Sequence, residues 1–451
     1  MNTLPASHSR RLLRWTLGVT LAISVASIAA CGSSKSRNGF DDGQLDSGTG
    51  EGGFGFTEGA APCQGLECKR VQCDNGEKTT LTGKVYDPAG ANALYNVMVY
   101  IPAGPNGDAP LPEIKEGVQC ETCAGLALSP LVSALTDVKG EFILQDVPVA
   151  DNVPVVVQVG KWRRKFTVNI KDKCTTNPVP DKTFKLPRNG SEGDMPQIAV
   201  TAGGCDALQC LLKGIGIDDS EFVAGPGGKG HVHVFNGAGG TWPGAPSADQ
   251  LWGAGASMLP YDISLLSCEC DEHNENKGNR MGVHDYVNAG GRVFATHYHY
   301  TWLKNSPDPN WTGLAKWSPS GSAIESDVNV SFPKGKALAS WLMTVGASAT
   351  EGKVKLTSIT GELSSVAPPS QSWILNGASA VRYFSFNAPV EKEPEEQCGR
   401  AVYGDLHLMG SGIAACTGAG TLTPQQKALE FMFFDLAACI QADDTPPSPP
   451  K

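Results

Sequence analysis

Two histidines two residues apart, His297 and His299, follow the apolar run Arg292-Val293-Phe294-Ala295-Thr296, and a third, His407, follows Arg400-Ala401-Val402-Tyr403-Gly404. In extended backbone a spacing of two puts both imidazoles on one face, as a metal site needs. Neutral imidazole with a carboxylate from Glu269 or Asp405 suits zinc or a similar divalent ion. The metal set read from the chain is therefore His297, His299 and His407, and the candidate catalytic residues are Glu269, His297 and His407. A His-x-His pair also arises where a half-exposed strand end carries polar residues, so the spacing alone leaves a surface role open. His231 and His233 begin a strand, at its other end, and read as structural or surface residues.

The elements that must position these residues start near Met195, where strand and helix patterns alternate. Strand-like runs at 197–200, 231–235, 261–267, 292–296 and 400–404 are interleaved with helical rhythm at 205–215 and 276–289. Gly290-Gly291 caps the second of these helices, and Thr423-Pro424-Gln425-Gln426 is a capping box opening a last helix that runs to about Cys439. Alternation of this kind argues an open, mostly parallel sheet with helices on both faces. Ligand sites in such sheets lie beyond the carboxyl ends of the strands. Gly237, Gly239, the Cys268-Glu269-Cys270 cluster, His297, His299, Asp405 and His407 all occupy such ends. Gly237, Gly239 and Asp405 are accordingly expected to form a ligand edge.

Residues 79–186 read differently. Short alternating runs such as Thr80–Tyr86, Val97–Ile101 and Val153–Val159, with turns between them, argue a β-sandwich. Lys161-Trp162-Arg163-Arg164-Lys165 is a basic patch, expected to be a solvated hairpin edge. The expected organisation is a sandwich over 76–192, an α/β domain over 193–441 and a Pro-rich tail over 442–451.

Ahead of these domains, Arg10, Arg11 and Arg14 precede an uncharged apolar run from Trp15 to Ala30, which fits a signal peptide over 1–30. The run ends Ser27-Ile28-Ala29-Ala30-Cys31, which resembles the lipobox of bacterial lipoproteins. That resemblance implies acylation of Cys31, a membrane partner through the lipid anchor, and, with Gly32 and Ser33 following, the outer membrane of the cell envelope. Two or more acyl chains anchor stably where one does not. Residues 31–75, Gly-, Ser- and Asp-rich up to about 61, read as a tether. A net charge of −10 without a basic block excludes a nucleic-acid partner. Fourteen cysteines suit an oxidising compartment. With Cys31 assigned to lipid, the remaining count is odd and leaves at least one thiol free. Cys120-Glu-Thr-Cys123 lacks the second such pair that a zinc site of that kind needs, so disulfides are the better reading.

Gly83-Lys84-Val85-Tyr86-Asp87 with Asn96-Val97-Met98-Val99, then Thr136-Asp137, Gly140, Phe142, Leu144, Val147 and Pro148, resemble the carboxypeptidase regulatory-like, transthyretin-like domain. The resemblance implies a non-catalytic module. Tyr261–Leu266, Val287–His297 and Gly399–His407 resemble the class I glutamine-amidotransferase-like superfamily, especially its trehalose-utilisation-like branch. That implies a flavodoxin-like α/β domain. His297 stands where true amidotransferases place their nucleophilic Cys, and Cys268 follows a different strand, so glutamine hydrolysis is not expected. The two-domain arrangement also resembles Gram-negative envelope lipoproteins, which suggests an address and no activity.

Seven of nine tryptophans fall between Trp242 and Trp373. Exposed, they would stack on sugars or contact a protein. Trp341 reads as core, while Trp242, Trp311 and Trp317 stay open. The favoured expectation is a binding or structural lipoprotein presenting a pseudo-enzyme domain to a glycan or protein. The rival is a metal-assisted hydrolase acting on an extracellular carbohydrate or amide.

Overall fold

Eight strands come first: β1 (Thr80–Tyr86), β2 (Met98–Pro102), β3 (Pro130–Leu135), β4 (Glu141–Gln145), β5 (Ala150–Val159), β6 (Trp162–Ile170), β7 (Thr176–Pro178) and β8 (Phe184–Lys185). They form two four-stranded sheets in the computed structural model, β4-β1-β7 with β8 also on β1, and β3-β2-β5-β6. The model describes residues 63–448, apart from 64, 105, 108–109, 124–129, 254, 321–323, 378–379, 409–415 and 417. The expected signal segment, Cys31, the tether up to 62 and the tail end at 449–451 lie outside the described residues. Period-two patterning sets the sheet faces. In β4, Phe142 and Leu144 point inward while Glu141, Ile143 and Gln145 face out. They join Leu81 and Val85 of the same sheet and Val99, Ile101, Val155 and Val157 of the other in one apolar core.

The rest of the chain supplies β9 (Ile198–Ala202), α1 (Leu208–Gly214), β10 (Phe222–Ala224), β11 (Val232–Asn236), α2 (Asp249–Trp252), β12 (Ile263–Leu266), α3 (Met281–Asn288) and β13 (Arg292–Thr296). Then come α4 (Thr301–Lys304), α5 (Pro309–Thr312), β14 (Ala315–Trp317), β15 (Glu325–Val328), α6 (Pro333–Thr344), β16 (Lys353–Lys355), β17 (Leu363–Val366), β18 (Gln371–Leu375), β19 (Val381–Ala388), β20 (Gly399–Gly404) and α7 (Pro424–Ala437). Ten of these strands form one sheet in the order β10-β11-β9-β12-β13-β20-β19-β18-β15-β16. The run from β10 to β20 is parallel throughout. From β20 onward every pairing is antiparallel. The chain is thus a mixed α/β protein with several sheets, and the antiparallel half was not expected from the sequence. Between β18 and β20 no α-helix intervenes among the described residues, and without a crossover neighbouring strands pair antiparallel; β15 and β16 also pair antiparallel, with α6 between them.

Two helices are shorter than their periodicity predicts. The Cys205 N–H is held by Cys268 O at 3.1 Å and its sulfur by Cys270, so α1 starts only at Leu208. Lys277 turns inward onto Glu269, which leaves a short 3-10 turn at Asn274–Asn276 and delays α3 to Met281. The capping box of α7 is present, with both Thr423 and Gln426 closing it.

One core runs through both sheet systems. Phe433 and Phe434 of α7 pack edge-on against Trp162 of β6, and the Trp341 indole N–H of α6 donates to Ala93 O at 2.6 Å. The basic stretch expected at a solvated edge is part of this joint. Lys161, Trp162 and Arg163 are buried. The Lys161 ammonium pairs with Asp262 and donates to Lys115 O and Gly117 O at 2.6 and 2.7 Å. Two charges removed from water need such saturation. Disulfides Cys120–Cys398 and Cys123–Cys439 fasten the β2–β3 insertion to the α/β part.

Candidate functional site

The strand ends β12, β13 and β20 are neighbours in the sheet, so the residues that follow them meet. Cys268 Sγ lies 3.3 Å from His297 Nδ1. The His297 and His407 rings are 4.6 Å apart and meet edge-on. One donor atom each from Cys268, His297 and His407 lies within 4.8 Å of the others. Glu362, just ahead of β17, brings its carboxylate to 3.2 Å from His297 Nε2. That contact has ion-pair distance but not hydrogen-bond alignment, so His297 Nε2 and Glu362 Oε2 are both buried without a hydrogen-bond partner. His407 Nδ1 is in the same condition.

Local backbone explains the convergence. β13 ends in a turn at which His297 takes φ 41°, a left-handed conformation that costs a non-glycine residue on the order of 1–2 kcal/mol. The Tyr403 hydroxyl secures it by donating to His297 O at 2.9 Å. Asp206 ties the strand ends together, accepting from Thr296 Oγ1 and from Leu408 N, both at 2.7 Å. Thr296 Oγ1 in turn accepts from Cys268 N at 3.0 Å.

The remaining expected site residues go elsewhere. The segment 297–300 is a 3-10 helix and not a strand, so His299 does not share a face with His297. Its Nε2–H donates to Ser267 O at 2.9 Å and its Nδ1 accepts from Trp302 Nε1 at 3.1 Å. Both nitrogens are used, and His299 does not belong with the metal set. Glu269 accepts from Ala238 N at 2.8 Å and pairs with buried Lys277, which makes it a clamp on the glycine loop and not a free acid. Gly237 and Gly239 are packed against neighbouring backbone: a Cβ at Gly237 would lie 3.0 Å from Ala202 O, and one at Gly239 3.1 Å from Gly204 Cα. Their smallness serves loop packing, not a ligand edge. Asp405 grips the Glu362 segment, accepting from Thr360 Oγ1, Glu362 N and Leu363 N and pairing with buried Arg382. It positions Glu362 and does not itself face the cluster. His231 and His233 are structural, bound to Glu221 and to Tyr261 with Gly230.

Sequence reasoning set Cys268 aside as a nucleophile and did not consider it as a ligand. It missed Glu362 altogether. The odd cysteine count was the signal for the first, since six disulfides leave Cys268 as the free thiol among the described residues. Glu362 stands in no motif.

Electrostatics separate the groups. Burial pushes the Cys268 thiol up to about 12, so it holds its proton at neutral pH. Burial, helped by His297, takes His407 down to about 4. Burial works to raise the Glu362 carboxyl, and adjacent His297 overcomes it and holds the group down at about 2. The set is thus a neutral thiol, two imidazoles and a carboxylate, with Cys268 and His297 buried and His407 and Glu362 half-buried. Cys and His with a carboxylate are a zinc-type donor set.

No family model matches the chain, and no curated protein matches it. One solved structure with some likeness is a mutant type II cohesin–X-dockerin complex from Acetivibrio cellulolyticus, at 14% identity and a TM-score of 0.16, covering 29% of this chain and 79% of that one.

Proposed function

We propose that this chain is a cell-envelope lipoprotein, anchored through Cys31, whose α/β domain binds one divalent ion at Cys268, His297 and His407 for metal-assisted hydrolysis of an extracellular carbohydrate or amide. Zinc is the ion that suits this donor set. The observation that carries the reading is the convergence of these three donors within 4.8 Å, with a ring nitrogen of each histidine lacking any hydrogen-bond partner. Buried polar atoms in folded proteins are mostly paired; others here, such as Gln209 Oε1 and Tyr383 Oη, also lack partners, but among the described residues only at this cluster do two imidazole nitrogens and a carboxylate oxygen do so together.

A zinc ion would supply Lewis acidity and a bound water of lowered pKa. Cys268 would lose its proton on coordination. Glu362 is half-buried and ionised beside the cluster, placed to accept a proton from an attacking water. Tyr403 and Asp206 hold His297 and the strand ends in place.

Cys268, His297 and Glu362 also have thiol–imidazole–carboxylate order, the pattern of a metal-free nucleophile. Burial argues against it, because the thiol is fully inaccessible and stays protonated. The glycan-surface reading loses much of its support, since Trp252, Trp302, Trp311, Trp341 and Trp373 are buried. The consecutive parallel strands support the flavodoxin-like, amidotransferase-like assignment. The paired four-stranded sheets support the carboxypeptidase regulatory-like one. Elemental analysis of detergent-solubilised protein tests the proposal: about one zinc per chain is expected, and protein that takes up no divalent ion from zinc-containing buffer contradicts it.

A further inference from the structure

Beside the edge strand β10 lies a cavity of about 580 Å³, lined among others by Arg188, Lys213, Asp218, Asp219, Trp242 and Cys416. None of its lining residues belongs to the Cys268 cluster. Its size falls in the range of small-molecule sites, about 300–1,000 Å³. Most tryptophans among the described residues are buried, but Trp242 remains half-exposed.

The walls are pre-formed. Asn236 holds the Trp242 backbone from both sides, its Oδ1 accepting from Trp242 N at 2.6 Å and its Nδ2 donating to Trp242 O at 3.1 Å. The Phe222 ring supports the indole at 6.1 Å between centroids, and the Lys213 ammonium sits 5.6 Å from the Trp242 ring. Cys210–Cys416 ties α1 to the lining segment at Cys416. A tryptophan held this way loses little entropy when a ligand arrives.

The charges define the ligand class. Lys213 pairs with Asp219 at 2.6 Å and Arg188 with Glu192 at 2.7 Å, while Asp218 accepts from Asn189. Two cations face two acids, and each is partnered, so no net charge is left to select an ion. An aromatic face rimmed by oriented, charge-balanced donors and acceptors matches a ring with one apolar face and a belt of hydroxyls. We infer that this cavity binds a neutral saccharide stacked on Trp242. The site is independent of the metal reading, and either can fail without the other.

The test is isothermal titration calorimetry of the full-length protein in a non-glycosidic detergent with maltotriose, cellotriose and chitotriose as probes. At least one should bind. Trp242→Ala should weaken that binding about tenfold or more, and Trp242→Phe should keep more of it. His297→Ala should leave it unchanged. Trigalacturonate, the anionic probe, should bind more weakly than the neutral sugar. The inference is overturned if no neutral probe binds at about 10 mM, if Trp242→Phe and Trp242→Ala both bind like wild type, or if the anionic probe binds best. Should Trp242→Ala fail to fold, Trp242→Phe and Asp218→Asn carry the test, each expected to weaken binding while the far-ultraviolet circular dichroism stays that of wild type.

Discussion

The His407 ring meets the His297 ring edge-on, 4.6 Å between centroids and 88° between planes. Their chain positions are far apart, yet β13 and β20 are parallel neighbours, with Thr296 opposite Gly404. Adjacent parallel strands deliver the residues after them to the same edge. Cys268 arrives by the same rule from β12, whose Leu266 pairs with Ala295.

Cys268 is expected to be the chain's inert thiol. Non-reducing mass spectrometry should find the six disulfides seen here. Iodoacetamide should label Cys268 only after unfolding, because the native sulfur is buried and, with zinc bound, is engaged as a ligand. Rapid labelling of the native protein would restore the nucleophile reading.

Lys161 and Asp262 hold the two four-stranded sheets to the large sheet. Lys161→Met leaves Asp262 buried without its partner and should cost about 3–5 kcal/mol in denaturant unfolding. Adding Asp262→Asn should recover part of that loss. Equal stability of Lys161→Met and wild type would remove the pair from the account of the joint.

Asp87 and Glu430 are buried together where the segment after β1 meets α7. Burial raises the Asp87 carboxyl to about 6 and raises Glu430 well above its ordinary value, with the neighbouring carboxyl adding to the latter. The folded chain therefore keeps protons that the unfolded chain releases near about pH 4. Stability from the pair is fully present below that pH and is lost as pH rises through about 6. Glu430→Gln, which retains an acceptor for Asn92, should flatten this dependence and be more stable than wild type at pH 8. Parallel stability curves from pH 4 to 8 would contradict this.

Cys31→Ala should release the protein from the membrane fraction or leave an uncleaved precursor, as fractionation and mass spectrometry would show. Wild-type protein found soluble and without acyl chains would end the anchor proposal.

Local patterning made much of this architecture readable. Alternation located strands of the first two sheets, and Thr423 and Gln426 marked the start of α7. Strand-end logic brought His297 and His407 together. What the chain hid depended on tertiary context. His299 was grouped with His297 on the premise of extended backbone, but φ 41° at His297 turns the chain into a 3-10 helix and sends the next imidazole to Ser267 and Trp302. Glu362 arrives on the small β14–β17 ribbon and is fixed by Asp405, contacts that no local period encodes. Lys161 looked like a solvated charge because its partner stands 101 residues away.

Metal content measured across ligand variants tests the central claim most directly. Purified wild type should retain about one zinc per chain, and Cys268→Ser, His297→Ala and His407→Ala should each weaken or abolish retention. His233→Ala and His299→Ala, whose nitrogens are engaged by other groups, should retain the ion if folded. Wild type without a bound ion after zinc loading, or folded His297→Ala and His407→Ala variants that keep a full equivalent, would contradict the account.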